Sequence, residues 1–432
     1  MTCHFATRHC FLLTCLLRIP PDLIGATGDQ LLMLFSVVMP TRDRLDLLAE
    51  AIQTILRQPE GVDWELIVFD NGSSQPIAEH IKGLNEPRIR YERSDDFLPV
   101  TDSWNRALSF ASGDYVTVLG DDDGLAPNYF QNLERLIKQF AYPELIYSAI
   151  YQFMYPGVAP WAPEGYVSDL KWGFFFSDRG APFRLSPGEA HHAVVGSLHL
   201  RRNFTYNSQA FCFSRALLSR LSFGGDVYFS PFPDYYLANV AIAHSRSTVI
   251  VPAPLAIAGV SKASFGFTLF NGQQEKGDAW LNTNLYQDPV FCEIEQKLLP
   301  GPGYQIKYAI TMEHVARRIR DIFNEQVDYD RHRRFQIVSA LQNSDCGSAT
   351  DAVWPELRRR LSHSEGVWTD AAQRLFVLSR ERPDSVCALR VIPELLRRVS
   401  PYDQEAQQRF CDRGNYSRLI DVYTALESGA LH

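Results

Sequence analysis

The chain has 432 residues, of which 46% are hydrophobic, 12% aromatic and 21% charged. This length and apolar content suffice for a large buried core and two or three domains, and they exclude general disorder. The formal net charge of -8 argues against nucleic acid as the main partner. Eight cysteines contain no CxxC pair, which favours a reducing cytoplasm over a disulfide framework or a zinc site.

The first 32 residues differ from the rest of the chain. Residues 11–17 are apolar and weakly mimic a secretory signal, but Pro20 and Pro21 interrupt the stretch and no small-residue cleavage site follows. A strand pattern begins directly after Met33. We therefore predict that the functional chain starts near Met33 and that residues 1–32 are a non-structural leader. A short disordered or membrane-touching N-terminus is the alternative.

From residue 34 to about 149, apolar runs typical of strands alternate with segments of helical spacing. The predicted strands are 34–39, 64–69, 88–92, 115–119 and 145–149. The predicted helices are 45–58, 77–84, 103–112 and 127–140. Such βαβα alternation predicts an α/β fold with a mostly parallel sheet and helices on both faces.

The second half of the chain changes character twice. Residues 150–200 lose the alternation and are rich in aromatics, among them Trp161 and Trp172, which predicts either a variable region that contacts a bound molecule or a hydrophobic cover over the sheet. Helices at 214–221 and 234–244 and a strand at 248–251 follow. Residues 265–432 are helical in pattern and rich in arginine, and we predict that they form a C-terminal helical domain.

Acidic residues follow two of the predicted parallel strands. Asp70 comes after the second strand, and Asp121, Asp122 and Asp123 come after the fourth. Ligands of open α/β sheets bind beyond the carboxyl ends of the strands, so both motifs are predicted to face one crevice. Three adjacent carboxylates repel unless a cation offsets them, and their hard oxygen atoms suit Mg²⁺ or Mn²⁺. A solvated acidic turn is the simpler alternative.

Four motifs together resemble the family 2 glycosyltransferases of the GT-A (Rossmann-like) fold. They are SVVMPTRDR at 36–44, FDNGSS at 69–74, Asn105 eight residues before a glycine, and GDYVTVLGDDD at 113–123. Each motif alone is weak, but their spacing agrees over about 90 residues, and the resemblance extends less clearly over about 35–264. It implies transfer of a sugar from a nucleotide-sugar donor, with a GT-A domain at 33–264. Residues 150–200 would then be the variable acceptor region, with Trp161 or Trp172 in contact with the acceptor.

The resemblance also implies roles for individual residues. Residues expected to bind the nucleotide sugar are Thr41, Arg44, Asp70, Asn105, Asp121 and Asp122. Among them, Asp70 would accept a hydrogen bond from the base, and uracil offers a suitable N–H. Asp121 and Asp123 would be the metal-binding pair. Asp70 has a structural alternative, because an Asp at this position also caps the following turn.

The catalytic base is expected at Asp234, which opens a predicted helix beyond the sheet. Inverting transfer needs a carboxylate that takes the proton of the acceptor hydroxyl as the sugar carbon is attacked. The family carries an Asp or Glu base in such a position. Helix N-capping explains Asp234 equally well, and Asp226 is the second candidate.

Three departures from the family pattern bear on this site. Trp104 stands where an Arg is frequent, and Gly120 stands where the metal motif has its first Asp. A His that often completes the metal site is absent, since residues 259–264 read GVSKAS. Ser261 is a poor substitute ligand, and Lys262 is better suited to contact a diphosphate.

We interpret the chain as a cytoplasmic enzyme, at or near the inner face of the membrane, that transfers a sugar from a UDP-sugar to a glycan or lipid-linked acceptor with inversion and with Mg²⁺ or Mn²⁺. The Arg-rich C-terminal helices offer a peripheral membrane contact or are simply solvated. A catalytically weak sugar-nucleotide or glycan-binding protein is one alternative. A sugar-nucleotide pyrophosphorylase is another, although it needs a Gly-rich basic loop that the first turn lacks.

Overall fold

The computed structural model describes residues 33–170, 174–176, 179–264, 267–268, 288–301, 303–343, 353–399 and 412–431. The predicted leader and Trp172 lie outside the described residues. The strands are β1 Leu34–Thr41, β2 Asp63–Asn71, β3 Ile89–Ser94, β4 Tyr115–Val118, β5 Gly124–Leu125, β6 Leu145–Met154, β7 Tyr166–Leu170, β8 Phe183–Arg184, β9 Phe211–Ser214, β10 Thr248–Val260 and β11 Asp412–Gly414. The helices are α1 Leu45–Leu56, α2 Ile77–Leu84, α3 Val100–Leu108, α4 Tyr129–Gln139, α5 Pro187–Leu198, α6 Arg215–Leu221, α7 Pro233–His244, α8 Pro289–Ile294, α9 Gly303–Arg318, α10 Tyr329–Asn343, α11 Val353–Arg359, α12 His363–Glu381, α13 Ile392–Val399 and α14 Leu419–Glu427.

A single mixed sheet has the strand order β11-β7-β6-β9-β4-β1-β2-β3, and β10 pairs with β6 beside this path. Strands β3, β2, β1 and β4 are parallel to one another. Strand β9 is antiparallel to both β4 and β6. The predicted α/β class is confirmed, with the parallel half of the sheet formed by the strands whose periodicity predicted it.

The parallel strands bury both of their faces. Along β1, Val38 packs into one core cluster while Val37 and Met39 pack into the other, and Ile67 and Leu66 of β2 divide in the same way. Helices α3, α5, α6, α7 and α9 cover the first face, and α1, α2, α4 and α14 cover the second. Two-sided burial explains why these strands read as continuous apolar runs without polar alternation.

Part of the aromatic region is helical, which periodicity did not predict. Helix α5 begins with a capping box, in which the Ser186 hydroxyl accepts from the Glu189 amide and the Glu189 carboxylate accepts from the Ser186 amide. Pro187 occupies the first helical position, where its missing N–H costs nothing. The Ser-Pro-Gly-Glu sequence is therefore the local signal for this helix.

The C-terminal helices have a core of their own, but the chain end packs on the sheet domain. Buried side chains of α10 to α13, such as Ile337 and Phe376, form a separate cluster. Helix α14 instead packs against α1, and Arg57 both forms an ion pair with Glu427 and donates to Thr424. The proposed domain boundary between residues 264 and 265 matches a change in sequence pattern, but contacts between α14 and α1 cross it. The boundary therefore stays a proposal. Among the described helices, none is both long and apolar enough to cross a membrane.

Leu419 of α14 is fully buried, and a Cβ built on Gly124 would lie 3.2 Å from its Cδ1 atom. We expect Leu419→Ala to lower the free energy of unfolding by about 2–5 kcal/mol, since it leaves a cavity behind β5. Urea unfolding measures the effect. Leu389→Ala is the matched control, because Leu389 is 66% exposed and its loss should cost less than about 0.5 kcal/mol. Equal effects of the two substitutions would contradict this packing.

Candidate active site

The carboxyl ends of the parallel strands bring the acidic motifs to one edge of the sheet. Thr41 ends β1, Asp70 lies at the end of β2, and the turn of Asp121 to Asp123 follows β4. The Thr41 hydroxyl donates to Oδ2 of Asp121 over 2.7 Å. This contact joins two predicted site residues that are 80 positions apart in the sequence.

Arg44 supplies positive charge to the acidic turn. Its Nη2 atom lies 3.0 Å from Oδ1 of Asp121, and its Nη1 atom lies 3.6 Å from Oδ2 of Asp122. Oδ1 of Asp121 is buried and accepts no well-aligned hydrogen bond from the described residues. One guanidinium therefore faces two carboxylates, and it leaves an oxygen atom of Asp121 with unused hydrogen-bonding capacity.

Asp123 is held by groups from elsewhere in the fold. Its Oδ2 atom accepts from the Gly120 amide over 2.7 Å, and its Oδ1 atom accepts from the Gly259 amide over 2.8 Å and from Gln209 Nε2 over 3.1 Å. Gly259 is required here, because a Cβ atom on it would lie 1.7 Å from the carbonyl oxygen of Asp122. Asp123 thus ties β10 and the 208–210 turn to the acidic turn.

Asp122 contacts the segment in which the family pattern places a His. Its Oδ2 atom accepts from the Ser261 hydroxyl over 2.9 Å and also from the Ser264 hydroxyl. No hydrogen bond from the described residues reaches Oδ1 of Asp122. The Lys262 ammonium lies against Gly157, since a Cβ atom on that glycine would be 2.7 Å from Nζ.

Burial dominates the proton affinity of the acidic turn. It raises the pKa of Asp121 to about 6, Arg44 opposes this shift, and the charge of Asp122 adds to it. Burial also raises the pKa of Asp123 well above the ordinary value, with Asp122 adding to the effect. Without a bound cation, the cluster is therefore inclined to take up protons.

Asp70 is fully buried and its carboxylate has several partners. Its Oδ1 atom accepts from the Ser73 amide over 2.8 Å, as turn capping predicts. Its Oδ2 atom accepts from the Tyr91 hydroxyl over 2.7 Å and forms an ion pair with Arg93. Both partners come from β3, where Arg93 is the neighbour of Asp70 in the strand register. No local motif marks Tyr91 and Arg93 as site residues, although their place on a strand next to β2 is a usable signal.

Asn105 and Asp234 lie around the loop that precedes α7. The Asn105 amide donates to the Tyr228 carbonyl over 2.7 Å and accepts from the amides of Val227 and Tyr228 over 2.9 and 2.8 Å. Asn105 thereby holds the loop, and its role in donor binding stays a prediction. Asp226 and Asp102 are both exposed, and desolvation raises the pKa of Asp102, with the charge of Asp226 adding to the shift.

Asp234 lies in the first turn of α7, where its Oδ1 atom accepts from the Tyr235 amide over 2.9 Å. Burial raises its pKa to about 6, and the charge of Arg202 opposes the shift. Burial raises the pKa of the nearby Tyr228 phenol, and the charge of Asp234 adds to the shift.

Comparison with known proteins connects this site to a family. Residues 36–196 match the family model described as Glycosyl transferase family 2. This span includes the predicted donor and metal residues, from Thr41 to the acidic turn. Over these residues, the chain is similar to the family 2 glycosyltransferases.

Two relatives match part of this chain. A protein of Escherichia coli K12, WcaA, named as a colanic acid biosynthesis glycosyl transferase, is 36% identical over 97 residues, which are 22% of this chain and 34% of that protein. The GalNAc(5)-diNAcBac-PP-undecaprenol beta-1,3-glucosyltransferase of Campylobacter jejuni is 37% identical over 93 residues, which are 21% and 30% of the two chains. The chain thus spans about a third of the length of the curated relatives it matches.

A solved structure is also similar. S. aureus TarS 1-349 in complex with UDP-GlcNAc aligns with 81% of this chain and 92% of its own, with 11% identity and a TM-score of 0.44. In the described part of this chain, no group of three or more His, Cys, Asp or Glu side chains has the arrangement of a metal site. The predicted metal pair therefore stays a prediction.

Proposed function

We propose that this glycosyltransferase transfers a sugar from a UDP-sugar to a hydroxyl group of a glycan or lipid-linked acceptor, with inversion. The observation that carries the proposal is the acidic turn at the carboxyl edge of the parallel sheet, with Thr41 and Arg44 bound to Asp121. The Campylobacter relative and the E. coli relative WfgD are named for transfer to undecaprenol-linked diphosphates, and the name of WfgD specifies UDP-Glc. These names support a UDP-sugar donor and a lipid-linked acceptor.

A divalent metal fits the donor set that the chain offers. Oδ1 of Asp121 is buried without a well-aligned donor among the described residues, and the hydrogen bonds that Asp122 accepts from Ser261 and Ser264 go to its Oδ2 atom. Carboxylate oxygens are the ligands that Mg²⁺ and Mn²⁺ prefer. When bound, the metal would neutralise negative charge on the leaving diphosphate. Asp121 would hold it with Asp122 or, as the sequence predicts, with Asp123.

The other residues of the site would bind, orient and accept a proton. Arg44 faces the acidic turn and is suited to pair with a phosphate oxygen once a metal takes over the carboxylates. Asp70, with Arg93 at its side, would meet the base. Asp234 would accept the proton of the acceptor hydroxyl. A carboxylate whose pKa is raised to about 6 is a stronger base than an ordinary one and is still ionised at neutral pH.

The proposal is tested with a panel of UDP-glucose, UDP-galactose, UDP-N-acetylglucosamine and UDP-N-acetylgalactosamine. Thermal stabilisation of the full chain by each donor is measured with and without Mn²⁺, followed by UDP release in the presence of polyprenyl-diphosphate-linked sugars. Donor-specific stabilisation and acceptor-dependent UDP release are expected. Stabilisation without any UDP release would favour the sugar-nucleotide-binding alternative. A cytoplasmic site of action at the inner membrane face follows only if lipid-linked acceptors are used.

Trp161 is our candidate for an acceptor contact. Its side chain is 64% exposed and packs edge-on against Tyr166, with ring centroids 4.6 Å apart, so it does not cover the sheet. We expect Trp161→Ala to raise the KM for the acceptor several-fold, because a sugar face loses its aromatic partner, with the donor KM unchanged. Tyr142→Ala is the matched control, since Tyr142 is equally exposed at 64%. An unchanged acceptor KM in a folded Trp161→Ala protein would reject the contact.

A further inference from the structure

The loop that leads to Asp234 contains a residue in a rarely populated conformation. Ser230 has φ of 82°, in the left-handed half of conformational space that residues other than glycine seldom enter. Such residues persist only where surrounding contacts over-determine them, and they concentrate at functional sites. Ser230 lies four residues before the proposed base, Asp234, so the contacts that hold Ser230 also bear on the position of the base.

Two side chains of α9 hold the Ser230 hydroxyl. Its Oγ atom lies 3.0 Å from Oγ1 of Thr311 and 3.0 Å from Nδ1 of His314. On the opposite side of the loop, the Thr101 hydroxyl of α3 donates to the Ser230 carbonyl over 3.3 Å. The loop is thus fastened to the sheet domain through α3 and to the C-terminal region through α9.

The direction of each hydrogen bond follows from the chemistry of the partners. The Thr311 hydroxyl donates to the carbonyl of Lys307 over 2.8 Å, and a carbonyl can only accept. Ser230 must therefore donate to Thr311, which also accepts from the Phe232 amide over 3.3 Å. Ser230 then accepts from His314, which carries its proton on Nδ1. The single donor and both acceptor sites of Thr311 are used.

Thr311 itself is fully buried, on a helix that belongs to two cores. Met312 and Val315 of α9 pack into the core on one face of the sheet, whereas Ala309 and Ile310 pack with α8. The bond from Phe232 to Thr311 ends at the residue directly before α7, whose second residue is Asp234. A displacement of Thr311 would therefore be passed on to the first turn of α7.

We propose that Thr311 is a positioning residue for the reaction: through Ser230 and Phe232, it fixes the first turn of α7 so that the Asp234 carboxylate meets the acceptor hydroxyl. This inference rests on the proposed function, in which Asp234 is the base. It gives α9, the first long helix of the C-terminal region among the described residues, a part in catalysis in addition to a part in packing. Small misplacements of a reacting group can cost large factors in rate.

The test uses Thr311→Val in the full chain, with Thr311→Ser as the conservative variant. UDP release from UDP-glucose with Mn²⁺ reports turnover, with water or a polyprenyl-diphosphate-linked sugar as the acceptor. We expect kcat to fall about tenfold or more in Thr311→Val, with the donor KM unchanged and with recovery in Thr311→Ser. Thr369→Val is the matched control, since Thr369 is also fully buried but its hydroxyl has no hydrogen-bond partner among the described residues.

Ser230→Gly provides a second variant that relieves the φ value and removes the hydroxyl at a partly exposed position. We expect it to lower kcat as Thr311→Val does, and the double variant to be no worse than the more damaged single one, because both changes break one network. An unchanged kcat in both folded single variants would overturn the proposal.

Amide hydrogen exchange separates failure of this inference from failure of the proposed function. In Thr311→Val we expect faster exchange across residues 226–236 and no change across 119–126. If the wild-type chain releases no UDP from any donor in the panel, the proposed function fails, and the exchange data still decide whether Thr311 orders the loop. Faster exchange with an unchanged kcat would show that the order serves folding only, and would reject the positioning role.

Discussion

Replacement of Asp234 by Asn is expected to lower transfer by roughly 10²-fold or more, the usual cost of losing a general base. Asn keeps the size of the side chain and can still accept from the Tyr235 amide, which bonds Oδ1 of Asp234 over 2.9 Å. Folding and donor binding should therefore survive. Steady-state kinetics and UDP titration measure the two properties separately. Full activity in the Asn variant would move the role to Asp226 or Asp122.

The pKa of Asp234 gives this prediction a second, independent readout. Burial raises that pKa to about 6, so kcat of the wild type should fall as the pH drops through about 6, whereas the residual rate of Asp234→Asn should lack this limb. Glu144→Gln is a suitable control, because Glu144 is a partly buried carboxylate paired with Arg220 away from the loop. Retention of the acid limb in Asp234→Asn would assign it to another group.

The same shift fixes the sign of a stability effect. The folded chain holds the Asp234 proton more tightly than the unfolded chain does. Its contribution to stability is therefore fully present below the unfolded pKa of about 4 and is lost as the pH rises through about 6. Because Asn resembles the protonated form, Asp234→Asn should have a higher Tm than the wild type at pH 7.5 and a similar Tm near pH 4. A lower Tm at pH 7.5 would show that the ionised carboxylate stabilises the fold.

Local sequence patterns predict most of the strands and helices in the parallel half of the fold. Helix α2 was predicted with its observed bounds, 77–84, and the first strand, 34–39, ends two residues short of β1. The acidic motifs could be assigned to one edge because strand ends in a parallel sheet share a side. The direction of each strand is sufficient for this assignment. The shared edge of Asp70 and the acidic turn could therefore be predicted without any knowledge of contacts.

Pairings between distant segments could not be read in the same way. No local sequence pattern predicts that Gly259 and Gln209 donate hydrogen bonds to Asp123, or that Arg93 forms an ion pair with Asp70. These contacts depend on the register of β10 and β3, which hydrophobic periodicity leaves undetermined for a buried strand. The packing of α14 against α1 could not be predicted either, because the apolar face of α14 does not indicate whether it joins the core of the sheet domain or that of the C-terminal helices. The positive φ of Ser230 is likewise set by tertiary contacts, against the preference of serine.

Substitutions in the acidic turn should distinguish the roles of Asp121, Asp122 and Asp123 in metal binding. We expect Asp121→Asn to remove Mn²⁺-dependent stabilisation by UDP and to lower turnover roughly 10²-fold or more, because a metal on the leaving diphosphate contributes several kcal/mol. Asp122→Asn and Asp123→Asn then identify the second ligand. Oδ1 of Asp122 is free of hydrogen bonds from the described residues, whereas Asp123 accepts from the amides of Gly120 and Gly259. Geometry thus favours loss of metal response in Asp122→Asn and loss of Tm without metal in Asp123→Asn.

The pH dependence of metal binding tests the same assignment without any turnover. Burial raises the pKa of Asp121 to about 6 and that of Asp123 well above the ordinary value, and a proton on a ligand must leave before a cation binds. The extra Tm that Mn²⁺ adds in the presence of UDP should therefore be small at pH 5.5 and should grow as the pH rises through 6. Wild type and Asp121→Asn are compared across this range, with Asp102→Asn as the control for a carboxylate outside the turn whose pKa is also raised. An equal Mn²⁺ response at pH 5.5 and 7.5, or an Asp121→Asn protein with the wild-type response, would show that the cation does not bind these carboxylates.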